Sequence, residues 1–234
     1  MADKYFIEAT SFNGEDGRRT LDRALTILKL FKEYFIFSGV TYQYSNRHVD
    51  PLVHYQPFQR YTYDDNAYTV LENEENSFLN FWNDFYKAPY NTLYPFYRFH
   101  LADYRPYSID CYVDHVASIE SLLVPDGNDG KITKKFQKRG AYIINHESSA
   151  NFRDCERYLR KAYDLRSDIV HGNKQMDKGV ATKSRDDWKD DIKKIRNYNR
   201  MIIRYIIKNG LCDFEKRKSK MKTIFDQSQI CCKP

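Results

Sequence analysis

Apolar side chains recur every three or four positions along most of this chain, with polar and charged residues between them. That period places the apolar residues on one face of an α-helix, which a folded protein buries. In the first such segment, for example, Leu25, Leu28 and Phe31 repeat about one turn apart. The pattern predicts helices at residues 20–37, 72–86, 91–103, 108–123, 131–144, 149–171 and 184–210.

Several of these segments carry residue types that begin or end a helix. Residues 13–17 contain two glycines and predict a turn before the first helix, which Gly39 is expected to close. Ser148 or Ser149 is expected to cap the sixth helix, and Gly172 to end it in a left-handed turn. The sequence therefore predicts an all-α protein.

Residues 40–70 break the helical pattern. Tyr42 and Tyr44 alternate with polar residues, which is typical of a strand or a loose hairpin. Arg47, His48 and Arg60 lie among the tyrosines of this segment, and two interpretations stay open. The segment is either an arm packed on the helical body or a surface that stacks single-stranded nucleic acid.

Composition favours long helices and limits the choice of partners. The 234 residues include only 9 glycines and 7 prolines, about half the usual share of these helix-breaking residues. The net charge of +6 is compatible with a nucleic-acid partner, although it does not identify one. No apolar run is long enough for a membrane span, and we expect no secretory signal at the N-terminus.

The cysteines favour a reduced, cytoplasmic setting. Five cysteines are scattered along the chain, and none has the Cys-x-x-Cys spacing of a zinc site. The sequence also has no glycine-rich phosphate loop, no His-Glu-x-x-His and no nucleophile elbow. No metal and no cofactor are therefore predicted.

The segment 163–172, Tyr-Asp-Leu-Arg-Ser-Asp-Ile-Val-His-Gly, carries the candidate chemistry. Arg166 offers a planar, permanently charged fork to a phosphate, and His171 can accept or donate a proton near neutral pH. Five helical positions are about 140° apart around the axis, so the two side chains do not share one face of a regular helix. To act on one phosphate, the arginine must reach across or a second copy of the chain must contribute.

A structural interpretation of the same residues is also open. Arg166 could pair with Glu120 or Asp164 and hold helices together, and His171 could bond a carbonyl at the helix end. Glu120 lies among apolar residues of the fourth predicted helix. A carboxylate at such a place is either at the border of the apolar stripe or paired with a buried cation.

An arginine, four residues and a histidine near the end of a late helix resemble the Arg-x-x-x-x-His motif of HEPN domains. The amino-acid sequence of residues 163–172 is most similar to the Apea-like HEPN group. Two earlier segments also resemble that group: the acidic and aromatic helix at 75–86, and the helix at 114–123 with its Ile-Glu-Ser-Leu-Leu. The resemblance covers residues 72–210.

The resemblance implies a fold and an activity. The fold is a HEPN-like antiparallel helical bundle, here with an irregular N-terminal extension. The activity is metal-independent endoribonuclease cleavage of RNA by 2′-hydroxyl attack, with Arg166 and His171 as the catalytic pair and a 2′,3′-cyclic phosphate as product.

HEPN domains dimerise so that two motifs face one cleft, and we expect a two-fold homodimer with its interface along the sixth helix. HEPN proteins are often toxins or antiviral defence effectors, so an antitoxin or another protein is a further expected partner. The alternative is a catalytically silent HEPN module that binds RNA, a nucleotide or a protein.

The resemblance also implies supporting residues. Ser167 follows the arginine where the family frequently has Asn, Asp or His, so Ser167 or Asp168 would substitute for that side chain. Glu120 is expected to orient Arg166, and Arg139 is a further candidate for the same supporting role.

The chain divides into three predicted parts. Residues 1–71 form an N-terminal helix and an extended arm packed on the body, and residues 72–210 form the HEPN-like helical domain. Residues 211–234 form a basic C-terminal tail, whose run of cations at 216–222 predicts a solvated end rather than a binding arm.

Overall fold

The computed structural model describes residues 14–32, 40–45, 48–55, 71–88, 93–105, 108–126, 130–172 and 185–230. Its helices are α1 (Gly14–Phe31), α2 (Glu75–Tyr86), α3 (Leu93–Ala102), α4 (Ser108–Leu123), α5 (Ile132–Ser148), α6 (Phe152–His171), α7 (Arg185–Lys208) and α8 (Phe214–Ile230). A short 3-10 turn, Glu72–Glu74, precedes α2. One antiparallel hairpin pairs β1 (Val40–Ser45) with β2 (His48–Tyr55). The described chain is otherwise helical, which confirms the predicted all-α class.

The hairpin occupies part of the segment for which the sequence predicts extended structure. Val40 pairs with Tyr55 and Ser45 pairs with His48, with an irregularity before Ser45. The stacking interpretation of this segment stays a prediction, because residues 46–47 and 56–70 lie outside the described ranges.

The first helix lies earlier in the chain than predicted. It begins at Gly14, so the turn expected at residues 13–17 is wrong from Gly14 onward. It ends at Phe31, where Arg204 of α7 donates to the carbonyls of Leu30 and Phe31. An arginine from a distant helix thus satisfies carbonyls that have no partner inside α1.

The boundary between α5 and α6 also corrects a prediction. Ser148 or Ser149 was expected to cap the start of the sixth helix, but Ser148 is the last residue of α5, and Ser149 ends that helix in a left-handed conformation with φ 55°. Asn151 caps α6, because its side chain accepts from the backbone N–H of Asp154 at 3.2 Å. The predicted end of α6 is confirmed, since Gly172 adopts φ 61°.

The C-terminal segment is a docked helix, which corrects the prediction of a solvated tail. Its buried side chains are Arg217, Met221, Ile224 and Ser228. They follow one another at intervals of three or four residues, which is the helical period. The lysines at 216–222, of which all but Lys220 are exposed, lie between these positions and conceal the period in the sequence. The helix packs against α5, where the ring of Phe225 lies 5.6 Å from the guanidinium carbon of Arg139.

The antiparallel pair α5 and α6 carries the candidate site. Gly140 of α5 faces Leu159 of α6, and a Cβ at this glycine would lie 2.5 Å from Leu159 Cδ1. One turn earlier in α5, the ring of Phe136 packs on Tyr163 with centroids 5.3 Å apart. The absent side chain at Gly140 lets the helices approach closely. Their register places the last residues of α6 beyond the first residue of α5.

A cluster of charged side chains is buried where α1, α3, α4 and α7 meet. Asp103, which follows α3, has a side chain only 1% exposed. Its carboxylate lies 3.1 Å from Lys29 Nζ of α1 and 3.1 Å from Arg196 Nε of α7. His115 of α4 is buried beside them, with Nε2 3.8 Å from the same carboxylate. One carboxylate therefore connects four helices.

The cations, rather than solvent, stabilise the charge of Asp103. Burial by itself would raise the pKa of this carboxyl, but Arg196 and Lys29 outweigh burial and hold the pKa well below its usual range. Burial lowers the pKa of Lys29, and Asp103 opposes that shift. Removing one partner of such a buried pair costs on the order of 3–5 kcal/mol, because the other charge is left uncompensated.

The packing of α8 leads to a stability prediction. Ile224→Ala removes most of a fully buried side chain, and we expect it to lower the free energy of unfolding by about 2–5 kcal/mol. Urea unfolding followed by circular dichroism measures this loss. The matched control is Lys222→Ala at an exposed position of the same helix, which should change the free energy by less than about 0.5 kcal/mol. Equally small effects of both substitutions would contradict the docking of α8.

The buried histidine leads to a prediction about pH. Burial, opposed by Asp103 and reinforced by Arg196 and Lys29, lowers the pKa of His115 to about 3. In the unfolded chain a histidine titrates near pH 6.5, so the unfolded state binds this proton first as the pH falls. The stability contributed by neutral His115 is therefore complete above about pH 6.5 and decreases toward pH 3. At pH 5 the decrease should be about 2 kcal/mol.

Urea unfolding at pH 7, 6 and 5 checks this prediction. His115→Gln should flatten the pH dependence, whereas His146→Gln, at a position whose side chain is 61% exposed, should leave it unchanged. Burial also lowers the pKa of His100, so some acid sensitivity should persist in the His115 variant. An unaltered pH dependence in His115→Gln would show that this histidine is not the source.

Candidate functional site

Arg166 lies on the inward side of α6, against α4. Its Nη2 forms an ion pair with Glu120 Oε2 at 3.3 Å, and the two side chains are 23% and 22% exposed. The hydroxyl of Tyr163 donates to the other oxygen of Glu120 at 3.3 Å. Burial and the neighbouring Glu120 carboxylate raise the pKa of Tyr163, so the phenol stays protonated and able to donate. The predicted contact between Glu120 and Arg166 is therefore present, and Tyr163 holds the carboxylate from the other side.

These contacts do not satisfy the whole guanidinium of Arg166. Its Nε is buried and has no hydrogen-bond partner among the described residues. A buried donor without a partner costs about 1–3 kcal/mol, and the Nε of the structural Arg139 is in the same situation. Because the rest of the side chain is partly exposed, the guanidinium can still contact a ligand from the solvent side.

His171 is the last residue of α6 and is exposed. The helix ends there because the backbone N–H of Gly172 donates to the carbonyl of Asp168 in a left-handed turn. Since this end of α6 extends beyond the start of α5, the imidazole lies at the edge of the helix pair. It is open to a ligand from solvent.

Arg166 and His171 point in different directions within one chain. Five positions along an α-helix correspond to a rise of about 7.5 Å and a net rotation of about 140°. The arginine accordingly contacts α4, whereas the histidine faces solvent. One copy of the chain does not bring both groups onto one surface, so a shared phosphate would need a second copy.

The supporting candidates divide into two groups. Glu120 contacts Arg166, and Ser167 and Asp168 follow the arginine in the same turn of α6, where both are half-buried. The fourth candidate, Arg139, is engaged in the packing of α5 instead.

Arg139 has a side chain only 1% exposed. Its Nη1 donates to the carbonyl of Leu123 at 2.7 Å and to Asp126 Oδ1 at 2.8 Å. The hydrogen bond from this guanidinium holds the pKa of Asp126 well below its usual range, against the effect of burial. With Phe225 packed on the same guanidinium, Arg139 has a structural role that joins α4, α5 and α8.

A row of exposed cations on α6 was missed in the sequence. Its members, here called the basic row, are Arg153, Arg157, Arg160 and Lys161. His171 lies eighteen positions after Arg153, which corresponds to about five full helical turns. The histidine therefore lies on the same face of α6 as the basic row. Asp154 Oδ1 lies 3.6 Å from Arg157 Nη1, and Asp164 Oδ2 lies 3.9 Å from Arg160 Nε. These two carboxylates neutralise the basic row only in part. The helical spacing of these cations, opposite the apolar stripe, is the signal that could have revealed them.

Comparisons with protein-family models, with curated proteins and with solved structures found no match to this chain. The likeness of residues 72–210 to HEPN domains therefore stays an expectation from the sequence. Across the ranges that the structure describes, no helix has the length and apolar character needed to cross a membrane. The same ranges contain no group of three or more His, Cys, Asp or Glu side chains arranged to hold a metal ion.

The ion pair at the site leads to a prediction for a double-mutant cycle. Glu120→Gln and Arg166→Gln, made singly and together, should show a coupling of about 0.5–1 kcal/mol in the free energy of unfolding, because the pair is partly exposed. The control pair, Arg160 and Asp164, lies on the exposed face of the same helix at 3.9 Å. Its coupling should be at most about 0.5 kcal/mol. Additive effects of the Glu120 and Arg166 substitutions would mean that the carboxylate does not position the arginine.

Proposed function

We propose that this protein is a metal-independent endoribonuclease of the HEPN type that works as a two-fold homodimer. The observation that carries the proposal is the arrangement at the end of α6, where an exposed His171 follows an Arg166 that Glu120 orients. Each dimer would hold two equivalent sites, each with the histidine of one copy and the arginine of the other. The 140° between the two positions supports a site shared between two copies.

The proposed reaction needs one proton acceptor and one stabiliser of negative charge. His171 takes the proton of the RNA 2′-hydroxyl, and the resulting oxygen attacks the adjacent phosphorus. The bond from phosphorus to the 5′-oxygen breaks, and the leaving oxygen receives the proton that the imidazole holds. Arg166 donates to the phosphoryl oxygens, where charge builds in the transition state. The products are a 2′,3′-cyclic phosphate and a 5′-hydroxyl.

The basic row supports RNA as the substrate class. Its cations lie on the face of α6 that also presents His171. A row of cations attracts a phosphate backbone without regard to sequence and would lead it toward the histidine. Ser167 and Asp168 lie between the two catalytic residues in the sequence and would contact the ribose or orient the imidazole.

The proposed setting is the cytoplasm, where such an enzyme would act as a toxin or an antiviral defence effector. Uncontrolled RNA cleavage would harm the cell that makes it. An antitoxin or another protein partner is therefore part of the proposal.

A second candidate function is favoured by one observation. Arg166 is already paired with a carboxylate, so part of its charge is neutralised before any phosphate arrives. A catalytically silent HEPN module, which binds RNA, a nucleotide or a protein, would keep the same contact as a structural one.

Incubation of the purified protein with RNA in the presence of a chelator separates these candidates. We expect cleavage that leaves 2′,3′-cyclic phosphate ends, and His171→Ala should reduce its rate by at least about 100-fold, the size of a general acid–base contribution. His146→Ala, at an exposed histidine of α5, is the matched control and should leave the rate unchanged. Absence of cleavage, or cleavage that persists in His171→Ala, would exclude the enzyme.

Mixing two inactive variants tests the shared site. If histidine and arginine come from different copies, co-expressed Arg166→Ala and His171→Ala chains should recover about one-quarter of the original rate, since about half of the dimers are mixed and each mixed dimer has one intact site. Sites built within one copy would recover no activity in the mixture.

A further inference from the structure

The outer face of α3 presents two tyrosines beside an arginine, and a second arginine follows the end of the helix. Tyr94 is 59% exposed and Tyr97 is 46% exposed. Arg98 and Arg105 follow on the same side, whereas Phe99 on the opposite side is fully buried. Tyr94, Tyr97, Arg98 and Arg105 are called the aromatic strip below.

The first tyrosine of the aromatic strip is fixed by its neighbour. The guanidinium carbon of Arg98 lies 5.3 Å from the centroid of the Tyr94 ring, and its Nε donates to the Tyr94 hydroxyl at 3.1 Å. A ring held in this way loses little freedom when a second flat group stacks on it. Its free face is therefore a preformed platform.

The two arginines of the aromatic strip are more exposed than Asp114, the carboxylate that pairs with both of them, and the exposed Asp110 also acts on Arg105. Asp114 of α4 lies 3.6 Å from Arg98 Nη1 and 2.5 Å from Arg105 Nε. The carboxylate side chain is only 8% exposed, whereas the two arginine side chains are 34% and 46% exposed. Asp114 thus holds both guanidiniums from the protein side. The solvent-exposed parts of the two guanidiniums can still bind an anion.

We propose that the aromatic strip binds single-stranded RNA, with bases stacked on Tyr94 and Tyr97 and phosphates held by Arg98 and Arg105. Aromatic rings that alternate with cations are the arrangement that binds single strands, because every base has a face to stack and every linkage has a charge. RNA is favoured over a protein because every linkage of the strand brings a negative charge to the two arginines beside the rings. Tyrosine and arginine are also common at protein interfaces, so a protein partner is an outcome that the test must separate from RNA binding. The choice of RNA rests on the proposed function, whereas the stacking does not.

Binding is best measured in a protein that cannot cleave. The His171→Ala chain in chelator is titrated into a fluorescently labelled oligoadenylate, and anisotropy reports the dissociation constant. Tyr94→Ala and Tyr97→Ala should each raise this constant by about tenfold or more. Tyr97→Phe, which keeps the ring, should stay within about threefold of the parent. Leu79→Ala and Phe214→Ala, at exposed positions of α2 and α8, are the matched controls and should have no effect.

A second probe separates stacking from charge. An abasic strand of the same length keeps every phosphate but has no base to stack on either tyrosine. It should therefore bind the parent protein more weakly than oligoadenylate binds the Tyr94→Ala variant, which keeps one stack. Equal affinity of the abasic strand and oligoadenylate for the parent would overturn the proposal. Unchanged binding in both tyrosine→alanine variants would also overturn it, provided that circular dichroism shows that they are folded.

Two further outcomes have defined meanings. If Tyr94→Ala converts a dimer to a monomer in light scattering without changing oligoadenylate affinity, the aromatic strip is a protein interface and the proposal fails. If the tyrosine variants lose RNA binding but the parent chain never cleaves RNA, the aromatic strip stands and only the nuclease assignment falls. The two proposals therefore fail separately.

Discussion

The buried carboxylate of Asp103 is the contact on which the arrangement of the bundle depends. Its partners Lys29 and Arg196 come from helices far away in the sequence, and neither cation is exposed. Apolar packing tolerates small shifts between helices, whereas a buried charge whose partner moves away is left uncompensated at a cost of several kcal/mol. The cluster therefore sets α1, α3, α4 and α7 in one arrangement. It also explains why α1 belongs to the same core as the later helices, with Ile27 and Leu30 fully buried in it.

The same constraint reaches the candidate site through α4. His115 lies in the charged cluster, and Glu120, five positions later in the same helix, holds Arg166. Fixing α4 therefore fixes the carboxylate that orients the arginine. On the other side, Gly140 lets α6 approach α5 closely enough for Tyr163 to bond Glu120. The site residues sit on α6, but their geometry is decided by α4 and α5.

The two proposed RNA-binding surfaces lie on different sides of α4. The hydroxyl of Ser118 donates to the carbonyl of Pro95 in α3 at 2.7 Å, whereas Glu120, about 200° further around α4, faces α6. The aromatic strip and the basic row are thus separated by this helix. A single RNA bound to both would have to bend around α4, which a flexible single strand can do and a rigid duplex cannot. This geometry favours unpaired RNA over duplex RNA as the proposed substrate.

Features that depend on neighbouring residues could be predicted from the amino-acid sequence. Helical period defined the helices of the body, Gly172 ended α6 where predicted, and the spacing of Arg166 and His171 already implied that they point apart. Predictions from neighbouring residues were wrong at two places where the sequence carried conflicting signals. Ser149 has the side chain of an N-terminal cap but ends α5 instead, and the lysines at 216–222 concealed the apolar stripe that docks α8.

The partners of the charged side chains became known from the packing of the helices. The sequence offered Arg166 two carboxylates, Glu120 and Asp164, and packing selected the one on α4. It also assigned Arg139 to Asp126 rather than to the site. The reason is physical: period and caps act over a few residues, whereas an ion pair forms only where separate helices are brought within a few ångströms of each other.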